Sequence, residues 1–303
     1  MKSVHEHIHT QTPEHNILSI SETFQAFVQT LSGVYDPGEA RSIARIVFED
    51  ALRVHDLQSK APFFELQEKL LQDIQKRLLQ HEPIQYILGK ADFYGLKFQV
   101  DHNVLIPRQE TEELVYWILK TIQKEIKHSN LGILDIGTGS GCIPITLKKK
   151  MPHLNISAVD ISEDALVIVK ANAELHKTSI EFIQTDILNQ NDWQQFGQFD
   201  IIVSNPPYVP LREQSVMFPN VTGFEPHLAL FVEDENPLIF YDAIADFAKI
   251  HLNPNGYLFF ECNEFNAKEV LQLLVNKGFK NSLLQKDMNG KERMIRATQL
   301  ILR

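Results

Sequence analysis

Two kinds of periodicity divide the chain. From about Ile17 to His81, apolar residues return at helical spacing and no alternating strand pattern appears. Ile20, Phe24, Phe27, Val28 and Leu31 form one such stripe, which Gly33 ends. A second helix is predicted to start at Asp36-Pro37-Gly38-Glu39, with Asp36 as N-cap, Pro37 in the first turn and Glu39 three residues on. It would carry Ile43, Ile46, Val47, Asp50-Ala51 and Val54. A third takes Phe63, Leu66, Leu70, Ile74 and Leu78, with the Phe63-Phe64 pair assigned to the core. The expectation is a small all-α domain over residues 16–85.

Residues 86–104 then read as a linker containing a β-hairpin, with Asp92-Phe93-Tyr94 and Lys97-Phe98-Gln99-Val100 flanking Gly95-Leu96. Thr111 begins a helix through Leu114, Val115, Ile118 and Ile122. From Gly132 the pattern alternates. Strands are predicted at Ile133–Ile136, Ile156–Val159, Ile180–Ile183, Phe199–Val203 and Tyr257–Phe260. Helices fall between them, carrying Ile143, Ile145 and Leu147, then starting at Ser162, then carrying Ile239, Ala243, Phe247 and Ile250. A helix at Ala267–Lys277 and two strands around Asn289-Gly290 complete the chain. Repeated βα units predict an α/β, Rossmann-like domain over residues 105–303, its sheet mostly parallel and doubly wound, with the last hairpin antiparallel at one edge.

Composition narrows the class. At 303 residues, 44% hydrophobic and 22% charged, the chain suits one large domain or two unequal ones with a sizeable core. Cys142 and Cys262 stand far apart without a C-x-x-C, which argues for a reducing compartment and against a metal or disulfide framework. No apolar run reaches membrane-spanning length, and the N-terminus lacks a signal-peptide core, so a cytoplasmic protein without a membrane partner is expected. The net charge of −10 argues against a strongly basic grip on nucleic acid. His5, His7, His9 and His15 lie in a polar stretch, residues 1–15, read as a disordered, solvated tail rather than a metal site.

Candidate chemistry gathers at the carboxyl ends of the predicted strands, where open α/β sheets bind ligands. Gly137-Thr138-Gly139-Ser140-Gly141 follows the first strand, a G-x-G-x-G run rather than the dinucleotide G-x-G-x-x-G. Asp135 precedes it, Asp160 ends the second strand and Asp186 follows the third. Each acid alone reads equally well as a cap or loop residue. Their recurrence at successive strand ends points to a cofactor, with Asp160 on ribose hydroxyls, Asp186 on an amine of the base, and Asp135 on an ammonium group. Asn205-Pro206-Pro207-Tyr208 ends the fourth strand. The prolines lack backbone N–H groups and restrict φ, so the turn is stiff. A stiff turn suits aiming the Asn205 oxygen and nearby carbonyls at a planar NH2 group, whose delocalised lone pair makes it a poor nucleophile. Tyr208 offers a face to pack against that plane.

The Asn-Pro-Pro-Tyr turn resembles the active-site motif of amino-group methyltransferases that use S-adenosylmethionine. Over about Ile17 to Arg303 the chain resembles the release factor glutamine methyltransferase family. The matching stretches are His81–Tyr86 with Gly89, Ile106-Pro107-Arg108 with Glu110-Thr111-Glu112, Asp135–Gly141, Val159-Asp160, Asp186, Ser204–Tyr208, Phe224-Glu225-Pro226 and Asp287–Arg293. Gln109 and Gly223 depart from the family's pattern, which usually has proline at the former and can have a basic residue at the latter.

The resemblance implies a seven-stranded class I methyltransferase domain behind a helical, substrate-binding domain and a hairpin linker. It also implies S-adenosyl-L-methionine as cofactor, with S-adenosyl-L-homocysteine as product, and class I peptide-chain release factors as partners of a monomeric enzyme. The expected reaction is methylation of N5 of the glutamine in the Gly-Gly-Gln motif. Cofactor binding would fall to Asp135, Gly137, Thr138, Gly139, Gly141, Asp160, Asp186 and the Asn205 edge. Asn205 would accept one amide N–H and the Pro206 carbonyl the other, with Pro207 and Tyr208 shaping the substrate side. Methylation of a ribosomal-protein glutamine, methylation of an adenine or cytosine amine in nucleic acid, and a non-enzymatic binding module stand as alternatives. The roles of Arg108, Glu112, Glu261 and Arg293 stay open.

Overall fold

A computed structural model describes residues 18–126 and 130–298; the tail expected at residues 1–15 lies outside them. The described residues form two compact units that divide between Ile87 and Leu88.

The first unit is helical. Helix α1 (Ile20–Leu31) starts at Ser19, whose hydroxyl accepts from Glu22 N while the Glu22 carboxylate accepts from Ser19 N. Helix α2 (Pro37–Ile46) is capped by Asp36, which accepts from Gly38 N, and runs into a π-helical turn over Val47–Ala51. Helix α3 spans Glu65–Leu78 and a short α4 spans Ile84–Leu88. Phe24, Phe27, Phe48 and Phe63 meet in the core, the Phe24 and Phe48 rings edge-to-face at 5.2 Å.

The expected phase of α3 needs correction. Phe64 is 66% exposed, and Leu66 and Leu70 are exposed as well; Leu71, Ile74 and Leu78 are buried. The adjacent pair Leu70-Leu71 offers two apolar stripes, and packing selects the one through Leu71.

The second unit is built on a seven-stranded sheet. In chain order its elements are hairpin strands β1 (Lys90–Phe93) and β2 (Leu96–Gln99), helix α5 (Gln109–Glu125), β3 (Gly132–Ile136), α6 (Cys142–Lys150), β4 (Asn155–Asp160), α7 (Glu163–Leu175), β5 (Glu181–Gln184) and β6 (Phe199–Ser204). Short elements follow: β7 (Val209–Pro210), α8 (Pro219–Thr222), α9 (His227–Leu230) and β8 (Phe231–Val232). Helix α10 (Ile239–His251), β9 (Leu252–Glu261), α11 (Ala267–Asn276), β10 (Lys280–Lys286) and β11 (Glu292–Thr298) complete the unit.

The sheet order is β10-β11-β9-β6-β3-β4-β5, with β9, β6, β3, β4 and β5 pairing in parallel and β11 antiparallel to both its neighbours. The chain leaves β3 towards β4 and β5, then returns to β6 on the other side. The switch point between β3 and β6 is where such sheets open a ligand crevice.

Alternation along the strands feeds two cores. Ile133, Ile201, Val203 and Phe259 pack with α5, α6 and α7 on one face; Leu134, Ile202, Leu258 and Phe260 pack with α10 and α11 on the other. Burial on both faces explains the consecutive apolar residues Ile201-Ile202-Val203 of β6.

Three expectations change. The hairpin is not a free connector: Phe93 and Phe98 are buried in the core under α5, and Asn172 bonds the Gln99 backbone at both N–H and carbonyl. Its turn is Tyr94-Gly95, both at positive φ, and Leu96 belongs to the strand. On α10, Ile250 is exposed; His251 takes its place, stacked on Phe247 with Nδ1 donating to the Gly197 carbonyl at 2.9 Å. Among the described residues no helix is long and apolar enough to cross a membrane.

Candidate active site

Strand register brings the chemistry into one row. Ile136 is level with Val159 and with Ser204, and Ser204 with Phe260. The next residue on each strand is therefore Gly137, Asp160, Asn205 and Glu261. Asn205 stands between the glycine turn and Glu261. The Ser204 hydroxyl donates to the Ile136 carbonyl at 2.7 Å and ties the two central strands together at this edge.

The glycine turn is shaped by its backbone. Gly137, Gly139 and Gly141 all sit at positive φ (73°, 52° and 80°). A Cβ on Gly137 or Gly139 would meet nothing within 4 Å, whereas one on Gly141 would lie 2.3 Å from Val169 Cγ2. The first two glycines leave open space in front of the turn; the third lets α6 pack on α7. Gly141→Ala therefore combines left-handed strain with overpacking, a loss of roughly 2–4 kcal/mol. Chemical denaturation checks this, and a midpoint equal to wild type would contradict it.

Asp160 holds the turn in place, with Oδ2 accepting from Gly139 N at 2.8 Å and Oδ1 from Ser162 N at 3.0 Å. Burial raises its pKa, and these backbone donors oppose the rise. Asp135 lies beneath the turn, 1% exposed, and neither carboxyl oxygen has a well-formed hydrogen bond. Burial pushes it up to about 7, the neighbouring Thr138 hydroxyl opposing and the Asp160 charge adding. Thr138 Oγ1 and Thr185 Oγ1 are likewise buried without partners.

A cavity of ≈ 310 Å³ opens in front of these groups, lined by Gly137, Thr138, Gly139, Asp160, Ile161, Asp186, Ile187, Asn205, Pro206 and Pro207, among others. Its size suits one nucleoside-like ligand. Asp186 Oδ1 accepts from Leu188 N at 2.9 Å, and Asp186 lines the cavity together with the apolar Ile161 and Ile187. Asp135 and Gly141 support this lining from behind rather than forming it.

A second cavity, ≈ 270 Å³, is lined by Arg108, Asn205, Tyr208, Glu213, Met217, Asn263, Phe265 and Arg293, among others. Asn205 and Arg108 face both cavities. The row thus divides a cofactor-sized space, on the Gly137–Asp186 side, from a polar and aromatic space on the Tyr208 side. Tyr208 is held by its N–H donating to Leu230 O at 3.2 Å, and burial raises its hydroxyl's pKa.

Several groups that the sequence left without a role are placed here. Arg108 Nη2 pairs with Glu225 Oε1 at 2.6 Å, and Glu225, itself buried, also accepts from Ile106 N at 3.2 Å. This clamps the irregular segment before α5 to the segment Phe224-Glu225-Pro226. Arg293 Nε lies 3.2 Å from Asp287 Oδ2 and its Nη2 3.5 Å from Glu264. Glu112 accepts from Tyr94 N at 2.7 Å and fixes the hairpin turn on α5. Thr111, read as a helix start within a matching stretch but given no role, donates to Glu261 Oε2 at 2.7 Å and accepts from Asn205 Nδ2 at 3.3 Å. No short-range pattern could have paired Thr111 with Glu261; their one signal was Thr111's place in the Pro-Arg-x-Glu-Thr-Glu segment.

Comparison with known proteins agrees with this geometry. Residues 115–221 match the family model described as "Methyltransferase small domain". A Flavobacterium psychrophilum protein named "Release factor glutamine methyltransferase" is 46% identical over 275 residues, covering 89% of this chain and 95% of that one. A protein of the same name from Bacteroides thetaiotaomicron is 39% identical over 275 residues, covering 89% and 97%. One from Lactococcus lactis is 44% identical over 229 residues, covering 75% and 81%. With identity at this level along nearly its whole length, the chain belongs to the release factor glutamine methyltransferase family.

Proposed function

We propose that this chain transfers a methyl group from S-adenosylmethionine to the side-chain amide N5 of the glutamine in the Gly-Gly-Gln motif of class I peptide-chain release factors. The observation that carries the reading is the position of Asn205, on the wall shared by the two cavities and next in the row to the glycine turn. An amide entering from the Tyr208 side meets the Asn205 side chain at the boundary with the cofactor space.

The residues of the first cavity fit the cofactor. Open space before Gly137 and Gly139, and a lining that joins the Asp186 carboxylate with apolar Ile161 and Ile187, match a turn-bound amino acid moiety and an adenine, with the unpartnered Asp135 carboxyl behind the turn. Asp160 retains lone pairs beyond its two backbone bonds for ribose hydroxyls. Asp135 would answer the ammonium through the turn above it. When bound, the cofactor supplies a methyl group on a positively charged sulfur.

What the protein adds is position and electrostatics. Asn205 Oδ1 accepts one N–H of the substrate amide and the Pro206 carbonyl the other. Two acceptors hold the nitrogen towards the methyl group and accommodate its growing positive charge. Tyr208 packs the amide plane. No strong base is needed before transfer, because the proton leaves once the nitrogen is positive. The helical unit is proposed to hold the body of the release factor. Exposed Phe64, Leu66 and Leu70, an apolar set at the start of α3, support that role.

The proposal is tested by incubating the enzyme and labelled S-adenosylmethionine with extract from cells lacking it, then separating protein from nucleic acid. Label in a release-factor band supports it; label in nucleic acid, or in a ribosomal protein alone, overturns it.

The site also has a pH signature. Asp135 and Glu261 ordinarily titrate at 3.8 and 4.5, and burial raises each to about 7 in the folded protein. A carboxyl raised on folding contributes stability that is complete below its ordinary value and is lost as pH rises through the folded value. Ligand-free protein should therefore lose thermal stability from these groups as pH climbs from their ordinary values, 3.8 and 4.5, to about 7, and the slope from them should level off above that. Asp135→Asn should flatten part of that slope, and an unchanged slope in that variant would contradict the assignment.

A further inference from the structure

We infer that Thr111 and Glu261 form a relay that fixes the orientation of the Asn205 amide, and so act as positioning residues for the transfer. The inference rests on the grip proposed above for Asn205 and adds what aims it. The three groups come from three elements, the first turn of α5, the end of β9 and the turn after β6. Thr111 and Glu261 are 2% and 1% exposed, so neither bond has water as a ready substitute.

Proton counting gives the relay its direction. An ionised carboxylate can only accept, and a hydroxyl has one proton to give. The Thr111 proton goes to Glu261 Oε2 at 2.7 Å. Towards Asn205 the threonine oxygen can then only accept, and it does so from Nδ2 at 3.3 Å. This selects one of the two amide orientations and turns Oδ1 away from Thr111, free for an incoming N–H. A protonated Glu261 reverses the chain. It donates to Thr111, Thr111 donates to Asn205, and the amide flips so that its NH2 faces the NH2 of the substrate. Donor then meets donor and the grip is lost.

Glu261 is placed to titrate in the working range. Arg108 and Glu110 at the start of α5, Tyr208 after β6, Tyr241 on α10, Cys142 on α6, the adjacent Cys262 and Arg293 on β11 all face it electrostatically. Burial raises its carboxyl to about 7; the Thr111 hydroxyl opposes this, Glu110 adds to it, and the two arginines hold it down.

The experiment measures kcat, KM for release factor, cofactor Kd and thermal midpoint for Thr111→Val, Thr111→Ser, Glu261→Gln and Asn205→Ala. Thr111→Val should lower kcat roughly tenfold to hundredfold with cofactor Kd unchanged, and Thr111→Ser should restore it. Wild-type kcat should fall as pH drops below about 7, a limb that Glu261→Gln should lack. Wild-type kcat in Thr111→Val, or an unchanged acid limb in Glu261→Gln, overturns the relay. If Thr111→Val does not fold, Thr111→Ser and the two pH profiles decide. An active Asn205→Ala overturns the grip itself; an inactive Asn205→Ala beside a fully active Thr111→Val overturns the relay alone.

Discussion

Asn205→Ala should lose methyl transfer by roughly a hundredfold to a thousandfold, the range found when one preorganised group facing a developing charge is removed. Cofactor Kd should stay close to the wild-type value. The split follows from the geometry. Asn205 is on the boundary between the two cavities, and its side chain is tied back to Thr111 on α5 rather than to the glycine turn. The amide nitrogen of a glutamine is a weak nucleophile, so loss of an acceptor costs both aim and charge stabilisation at the moment of transfer. Pro206 and Pro207 keep the turn stiff in the variant, which leaves the cofactor side of the wall standing. Single-turnover rates with saturating cofactor measure this directly. Near-normal turnover in Asn205→Ala would show that the grip lies elsewhere.

The second large effect is on binding. Asp160→Ala should weaken cofactor binding roughly tenfold to hundredfold, the scale of a charge-assisted hydrogen bond lost. Two mechanisms add. The ribose would lose the carboxylate partner proposed for it, and Gly139 N and Ser162 N lose the acceptor that shapes the turn. Asp160→Asn separates them, since its carbonyl can keep one backbone bond while the charge is gone. It should fall between wild type and alanine. Calorimetric titration gives both constants, and an Asp160→Ala constant equal to wild type would reject the ribose role.

How far the sequence speaks depends on the distance over which the physics acts. Strand β6 was legible because burial on both faces requires consecutive apolar residues, here Ile201-Ile202-Val203. The row Gly137, Asp160 and Asn205 was legible because each ends its own strand, and parallel register brings strand ends together. The phase of α3 was not, since Leu70 and Leu71 offer two stripes and only tertiary packing, α1 among its partners, chooses. His251 was passed over for Ile250 because its burial depends on stacking against Phe247 and on the Gly197 carbonyl. The hairpin read as a connector because Asn172, which holds its second strand, lies 73 residues further along the chain. For the same reason Glu261 and Glu225 had no visible role: each acts through a residue more than a hundred positions away, Thr111 and Arg108. Local pattern reports caps, turns and strand ends. Buried polar pairs between distant elements appear only once the sheet order is known.

The central claim is that this site methylates one glutamine nitrogen in a release factor. The most direct measurement is transfer of labelled methyl from S-adenosylmethionine to purified release factor, located by peptide mass spectrometry. The same release factor with its Gly-Gly-Gln glutamine replaced serves as control. Label on that glutamine, absent from the control, is the predicted result. No label on intact release factor while the enzyme demonstrably binds cofactor, or equal label on the control, would contradict the claim.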